Sequence, residues 1–222
     1  MEKNQAGFSF IELLLAMTVG SVILAATVAS YIVVARQYAR VSVFTEVQET
    51  GVPTIHFLQR DIRMAGRIAM DDDMNPAQGA ITTPIALVDS GNACCDEITI
   101  IYDKDEDTQL RVRYYVDDRP DRSALFMDRD LWNSGTASWV NTASGALVAD
   151  YVEDFQLVGS DANSNGIPRI IEVSLVIRSK RQQTAAEAYT KPTYTVGNYA
   201  LSVTDRYYRD EFNATINIRN LR

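Results

Sequence analysis

From Phe8 to Ala35 the chain reads FSFIELLLAMTVGSVILAATVASYIVVA, and its single charge is Glu12. The run has no period of two and is too long for a strand, which leaves a helix apolar on all faces. At about 1.5 Å per residue, the uncharged part from Leu13 to Ala35 covers about 34 Å, enough to cross a hydrocarbon core of roughly 30 Å. Small residues (Ala16, Gly20, Ser21, Ala25, Ala26, Ala29, Ser30) are spread along it and permit close helix approach. A secretory signal peptide would carry an apolar stretch of about 7–15 residues followed by a small-residue cleavage site. This stretch is about twice as long, so it reads as an anchor that stays.

Beyond the anchor the pattern becomes one-sided. Val41, Phe44, Gln48, Gly51, Ile55, Leu58, Ile62 and Ala65 recur at spacings of three and four, while Arg40, Glu46, Glu49, Gln59, Arg60 and Arg63 fill the other faces. This predicts an outer amphipathic helix over 36–66. Pro53, within Gly51-Val52-Pro53, is expected to kink or restart it, and Gly66 is placed as its C-cap.

From about residue 80 the period falls to two. Leu110, Val112, Tyr114 and Val116 alternate with Arg111, Arg113 and Tyr115. Ile171, Val173, Leu175 and Ile177 form a second such set, and Phe212, Ala214, Ile216 and Ile218 a third. Further strands are expected at Glu97–Tyr102, Ala124–Met127, Ala146–Gly159 and Tyr194–Thr204. Strands with one wet face argue for antiparallel pairing, and the helix must bury its stripe on the dry face. The fold class is therefore α+β, a long N-terminal helix packed on an antiparallel β-sheet.

Composition sharpens this division. The 222 residues are 46% hydrophobic and 23% charged, with 21 Lys and Arg against 29 Asp and Glu and a net charge of −8. Disordered and collagenous classes are excluded, and nucleic-acid binding is disfavoured because phosphate contact needs a concentrated positive surface. Glu2 and Lys3 cancel, so apart from Glu12 the acidic excess lies from Arg36 onward.

The most specific motif stands at the start of the apolar run. Gly7-Phe8-Ser9-Phe10-Ile11-Glu12, after the polar leader MEKNQA, resembles the type IV prepilin cleavage and methylation motif. The resemblance implies cleavage between Gly7 and Phe8, N-methylation of Phe8, and Glu12 as the carboxylate that guides assembly. Physics supports a special role for Glu12 independently. A carboxylate within an apolar helix costs about 2.5–3.5 kcal/mol at mid-membrane and calls for a partner, which a newly cut amine supplies. As a plain alternative, Glu12 is a first-turn acid at headgroup level, favoured by the helix dipole.

Phe57-Leu58-Gln59-Arg60-Asp61-Ile62-Arg63-Met64-Ala65-Gly66 is similar to the segment closing the N-terminal helix of PilW-type minor pilins, from which Gly51-Val52-Pro53 departs. The strands near Val152–Phe155, Ile171–Lys180 and Phe212–Leu221 resemble the later part of that chain less specifically. The resemblance implies four parts: a leader at 1–7, a transmembrane and assembly helix at 8–35, the outer helix at 36–66 and a β-rich pilin domain at 67–222. It implies a single pass through the bacterial inner membrane with a cytoplasmic N-terminus, and later residence in an extracellular pilus. Arg36 and Arg40 on the far side would by the positive-inside rule place the bulk of the chain in the cytoplasm, and the motif outweighs that rule. The partners implied are a prepilin peptidase, other major and minor pilins, the pilus assembly platform and the inner membrane. The function implied is that of a minor pilin that helps initiate or cap the filament. Two alternatives stand beside it: a minor pseudopilin of a type II secretion system, and a membrane-anchored calcium- or ligand-binding module that never polymerises.

Two smaller features carry candidate chemistry. Asp161, Asn163, Asn165, Gly166 and Glu172 occupy positions 1, 3, 5, 6 and 12 of a calcium-loop pattern, although Pro168 and Arg169 interrupt its second half and the flanks read as strands. The plain alternative is a polar turn. Cys94 and Cys95 are the only cysteines; they form a vicinal disulfide, stay as thiols or bridge subunits. His56 is the sole histidine, and no hydrolase or metalloenzyme motif is present, so the chain is read as structural rather than enzymatic.

Overall fold

The computed structural model describes residues 9–78, 81–91, 93–118, 123–162, 164–192 and 196–221. The chain divides into two compact units, one ending at Ser42 and one running from Val43. Helix α1, Phe10–Met64, contributes to both.

In the first unit α1 is exposed throughout, as expected of a segment whose solvent is lipid. Its four Ser and Thr hydroxyls from Leu13 to Ala35 all donate to carbonyls of the helix itself. Thr18 bonds to Leu15 O (2.8 Å), Ser21 to Thr18 O (2.8 Å), Thr27 to Ile23 O (2.8 Å) and Ser30 to Ala26 O (2.9 Å). These groups need no water, which makes the segment compatible with hydrocarbon.

In the second unit two antiparallel meanders share one core. The first sheet has order β1-β2-β3-β4-β5, with β1 Ile85–Val88, β2 Glu97–Asp103, β3 Gln109–Asp118, β4 Ser123–Asn133 and β5 Ser138–Asp150. The second has order β6-β7-β8, with β6 Val152–Ala162, β7 Pro168–Thr190 and β8 Ser202–Asn217. Val47, Ile55, Leu58 and Ile62 of α1, and Ala65 just after it, pack with Ile98, Ile100, Val112 and Tyr114 of the first sheet and Val173, Leu175, Phe212 and Ile216 of the second. The alternating positions expected at Leu110–Tyr114, Ile171–Ile177 and Phe212–Ile218 are the inward ones.

Several expectations need correction. The buried stripe of α1 begins at Val43 and Val47, whereas Val41 and Phe44 are exposed. Pro53 lies inside a continuous helix. It removes the amide that would bond the Glu49 carbonyl, but both residues are exposed, which leaves that carbonyl open to solvent. Gly51 has a different cause. A Cβ there would run into the Phe212 ring, so the glycine lets β8 press an aromatic residue against the helix backbone. At the far end Gly66 adopts φ +71° and ends the helix as expected, and Asn220 Nδ2 donates to the Arg63 carbonyl (3.0 Å).

The strand expected over Ala146–Gly159 is two strands in different sheets. The chain passes between them at Tyr151, φ +60°, a conformation uncommon for a bulky residue. Arg178 holds the corner: its backbone N–H donates to the Tyr151 carbonyl (2.9 Å), and its guanidinium lies 4.9 Å from the Tyr151 ring centroid. In the strand expected at Tyr194–Thr204, Tyr194 lies outside the described residues and pairing begins at Ser202. β1 was not expected; only four residues separate Pro84 from Asp89.

Replacement of Gly51 by Ala should destabilise the second unit by about 1–3 kcal/mol through overpacking. Adding Phe212→Leu should recover part of that loss. Chemical denaturation of the two single variants and the double variant measures the coupling, and additive losses would contradict the proposed contact.

Candidate functional site

The start of α1 is built around Glu12. Phe10 opens the helix, Ser9 precedes it as N-cap, and the Ser9 backbone N–H donates to Glu12 Oε2 at 2.9 Å. Ser9 Oγ faces the Ile11 N–H at 3.4 Å, and the Leu13 N–H reaches the Ser9 carbonyl at 3.2 Å. Ser9-x-x-Glu12 thus has the spacing of a capping box, in which the acid reaches back to an orphan donor at the helix start. That signal was present in the sequence and was not read there. Glu12 therefore enters the apolar segment with one oxygen already held. Gly7 and Phe8 lie outside the described residues.

Residues 3–28 match the family model described as the prokaryotic N-terminal methylation motif. The chain carries a prepilin signal. Its matched span joins the polar leader to the capped first turns of the exposed apolar helix. It supports a type IV pilin-like or pseudopilin protein, a structural role and membrane anchoring. It also implies processing by a prepilin peptidase and association with other pilins. No curated protein and no solved structure matches the chain significantly.

Elsewhere in the chain, the described residues of the calcium pattern lie on different parts of a hairpin. Asp161 lies one residue before the end of β6 with φ +52°, Asn165 lies in the hairpin turn, and Asn163 is outside the described residues. Glu172 is four residues up β7 from Pro168, paired with Val158 and Thr215. At about 3.3 Å per strand residue, this puts Glu172 roughly 13 Å beyond Pro168, whereas calcium ligands must meet within about 2.6 Å of the ion. Among the described residues of the pattern, Glu172 therefore stands apart from the turn, because the second half of the loop is strand.

Cys94 and Cys95 are bonded to each other in the structure. Among the described residues, the cluster with metal-ligand proximity is Cys94, Cys95 and Asp154. Its sulfurs are committed to the disulfide, and Asp154 is already ion-paired with Lys191 at 2.5 Å. Burial pushes the Asp154 carboxyl above the usual carboxylate range, with Lys191 pulling against that shift. His56 lies exposed on α1.

Sequence reasoning also missed the buried charges that hold the second unit together. Asp61, on the inward face of α1, accepts from Tyr114 Oη at 2.6 Å and pairs with Arg60 at 3.1 Å. Burial and then the Asp61 charge raise the Tyr114 phenol above its ordinary pKa, so it remains a donor. Arg209, almost wholly buried, pairs with Glu153 on β6 and with Asp205 (2.6 Å) on β8. No charge in the sequence announces such partners; Tyr114 and Glu153 are far from Asp61 and Arg209 in the chain, and Asp205 lies four residues from Arg209 on one strand.

The Arg209 hydrogen bond holds the Asp205 carboxyl below its usual range. An acid with a depressed folded pKa stabilises fully above its unfolded value, near about 3.9, and loses that contribution as pH falls through the folded value. Asp205→Asn should therefore lower the melting temperature most above about pH 5, with the two proteins converging near pH 2 to 3. Thermal melts across that range provide the measurement.

Proposed function

We propose that the protein is a minor type IV pilin of the PilW-type class, a structural and assembly subunit that helps initiate or cap the pilus. The observation that carries this reading is the methylation motif over residues 3–28 on an apolar helix whose Ser and Thr hydroxyls are satisfied internally. In this reading the precursor waits in the bacterial inner membrane with its N-terminus in the cytoplasm and its β domain outside. The peptidase cuts between Gly7 and Phe8, and Phe8 is methylated. The assembly platform then moves the subunit from lipid into the filament.

Glu12 supplies the register of that step. Its charge costs about 2.5–3.5 kcal/mol at mid-membrane without a partner, and the Ser9 N–H offsets only part of this. The protonated amine of a neighbouring subunit is the strongest partner at that depth, and a subunit inserted one turn too high or too low leaves both charges unpaired. The Ser9 cap fixes where the carboxylate sits relative to the first helical turn. A pseudopilin of a secretion system would use the same step, and the motif supports that reading equally.

Mass spectrometry of the protein from its native host should find an N-terminus at methylated Phe8. A chain retaining Met1, or cut near residue 35, would overturn the assignment. Glu12→Ala should still be processed but should fail to co-purify with filaments, and normal incorporation would count against the register role. Deletion separates the two machines: loss of surface pili supports the pilin, and loss of exoprotein release supports the pseudopilin.

A further inference from the structure

We propose that the outward face of the five-stranded sheet is a binding site for a neutral saccharide. The chain has two tryptophans, and both are here. Trp132 on β4 and Trp139 on β5 are cross-strand partners with ring centroids 5.2 Å apart, half-buried and outside the hydrophobic core. Two large rings on a solvent-facing surface forgo full burial, which a core position would have given them.

Behind the rings the strand register lays down paired charges. Arg111 bonds Asp130 at 2.7 Å, and Asn141 Nδ2 donates to the other Asp130 oxygen at 2.9 Å. One step along, Arg113 bonds Glu97 at 2.6 Å and lies 3.5 Å from Asp128. With Thr99, the arginines, Asp128, Asp130 and Asn141 line a shallow depression of about 420 Å³. That is within the size range of small-ligand sites, about 300–1,000 Å³.

The ligand class follows from this chemistry. Each guanidinium has its carboxylate in place, so the face offers no uncompensated positive charge to draw a phosphate, an acidic peptide or nucleic acid. What remains is a fixed array of donors and acceptors in the depression, with the Trp132–Trp139 pair adjoining it next to Arg111. A pyranose matches both. Its hydroxyls donate and accept, so neighbouring ones can span a carboxylate and a guanidinium, while its C–H face lies against an indole. The side chains are held by the ladder and by each other, with Arg111 4.8 Å from the Trp139 ring centroid, so little ordering cost falls on binding.

The whole tryptophan emission of the protein reports on this face. Full-length protein in a sugar-free zwitterionic detergent is titrated with glucose, galactose, mannose, N-acetylglucosamine and their disaccharides. The expected result is a saturable change in emission with at least one sugar. Its half-saturation concentration should rise tenfold or more in Asp130→Asn, and saturation-transfer NMR should no longer detect that sugar on Trp139→Ala. Saturation-transfer NMR on the unmodified protein reads binding without any variant. Absence of binding across the panel overturns the proposal, as does an equal response from the unmodified protein and a folded Asp130→Asn.

Discussion

The second unit depends on one helical face closing two sheets at once. Val47, Gly51, Leu58, Ile62 and Ala65 form a strip that the inward residues of both meanders share. Two contacts fix its rotation. On the side of the first sheet, Tyr114 donates to Asp61 and its ring meets Phe57 edge-on at 6.2 Å. On the side of the second sheet, Phe212 occupies the space left by the absent Cβ of Gly51. Turning the helix by one residue, about 100°, would remove the glycine from Phe212 and leave a buried carboxylate without its donor.

This constraint explains what the sequence reveals and what it hides. Strands with one buried and one wet face announce themselves by alternation, so the inward sets on β3, β7 and β8 were legible residue by residue. The β5–β6 corner was not. Asp150-Tyr151 contains no glycine or asparagine to mark a left-handed residue, and the apolar pattern continues across it, so the two strands read as one. Pro53 misled in the opposite sense: a helix-breaking residue is tolerated where the freed carbonyl meets water, and burial decides that, not residue type. At the N-terminal site, Glu12 and the cleavage motif were legible because a charge in an apolar run stands out. The Ser9 cap was legible in principle and was overlooked beside it.

Polar groups are satisfied differently in the two units, and this follows from their solvents. In the apolar segment each Ser and Thr hydroxyl turns back on its own helix within three or four residues. In the β-rich unit, long-range pairs join the local ones: Asp154 with Lys191, Arg209 with Glu153, and Asp61 with Tyr114. Local bonds survive a transfer between environments because they need nothing from their surroundings. Long-range bonds survive only while a fold persists around them. On the pilin reading, a segment that moves from lipid into a filament is limited to the first kind, whereas a domain that stays folded can rely on the second.

Glu12 belongs to both regimes. Its bond to the Ser9 N–H is local and travels with the helix. A carboxylate has two oxygens and about four lone-pair sites, and Ser9 engages one of the oxygens. On the pilin reading, an incoming amine can therefore pair with the carboxylate while the cap stays intact. The helix start is then ordered before the neighbour arrives, and the intersubunit bond does not have to compete with helix capping. This order of events accounts for an acid placed three residues after a serine, at the one point where the apolar run tolerates a charge.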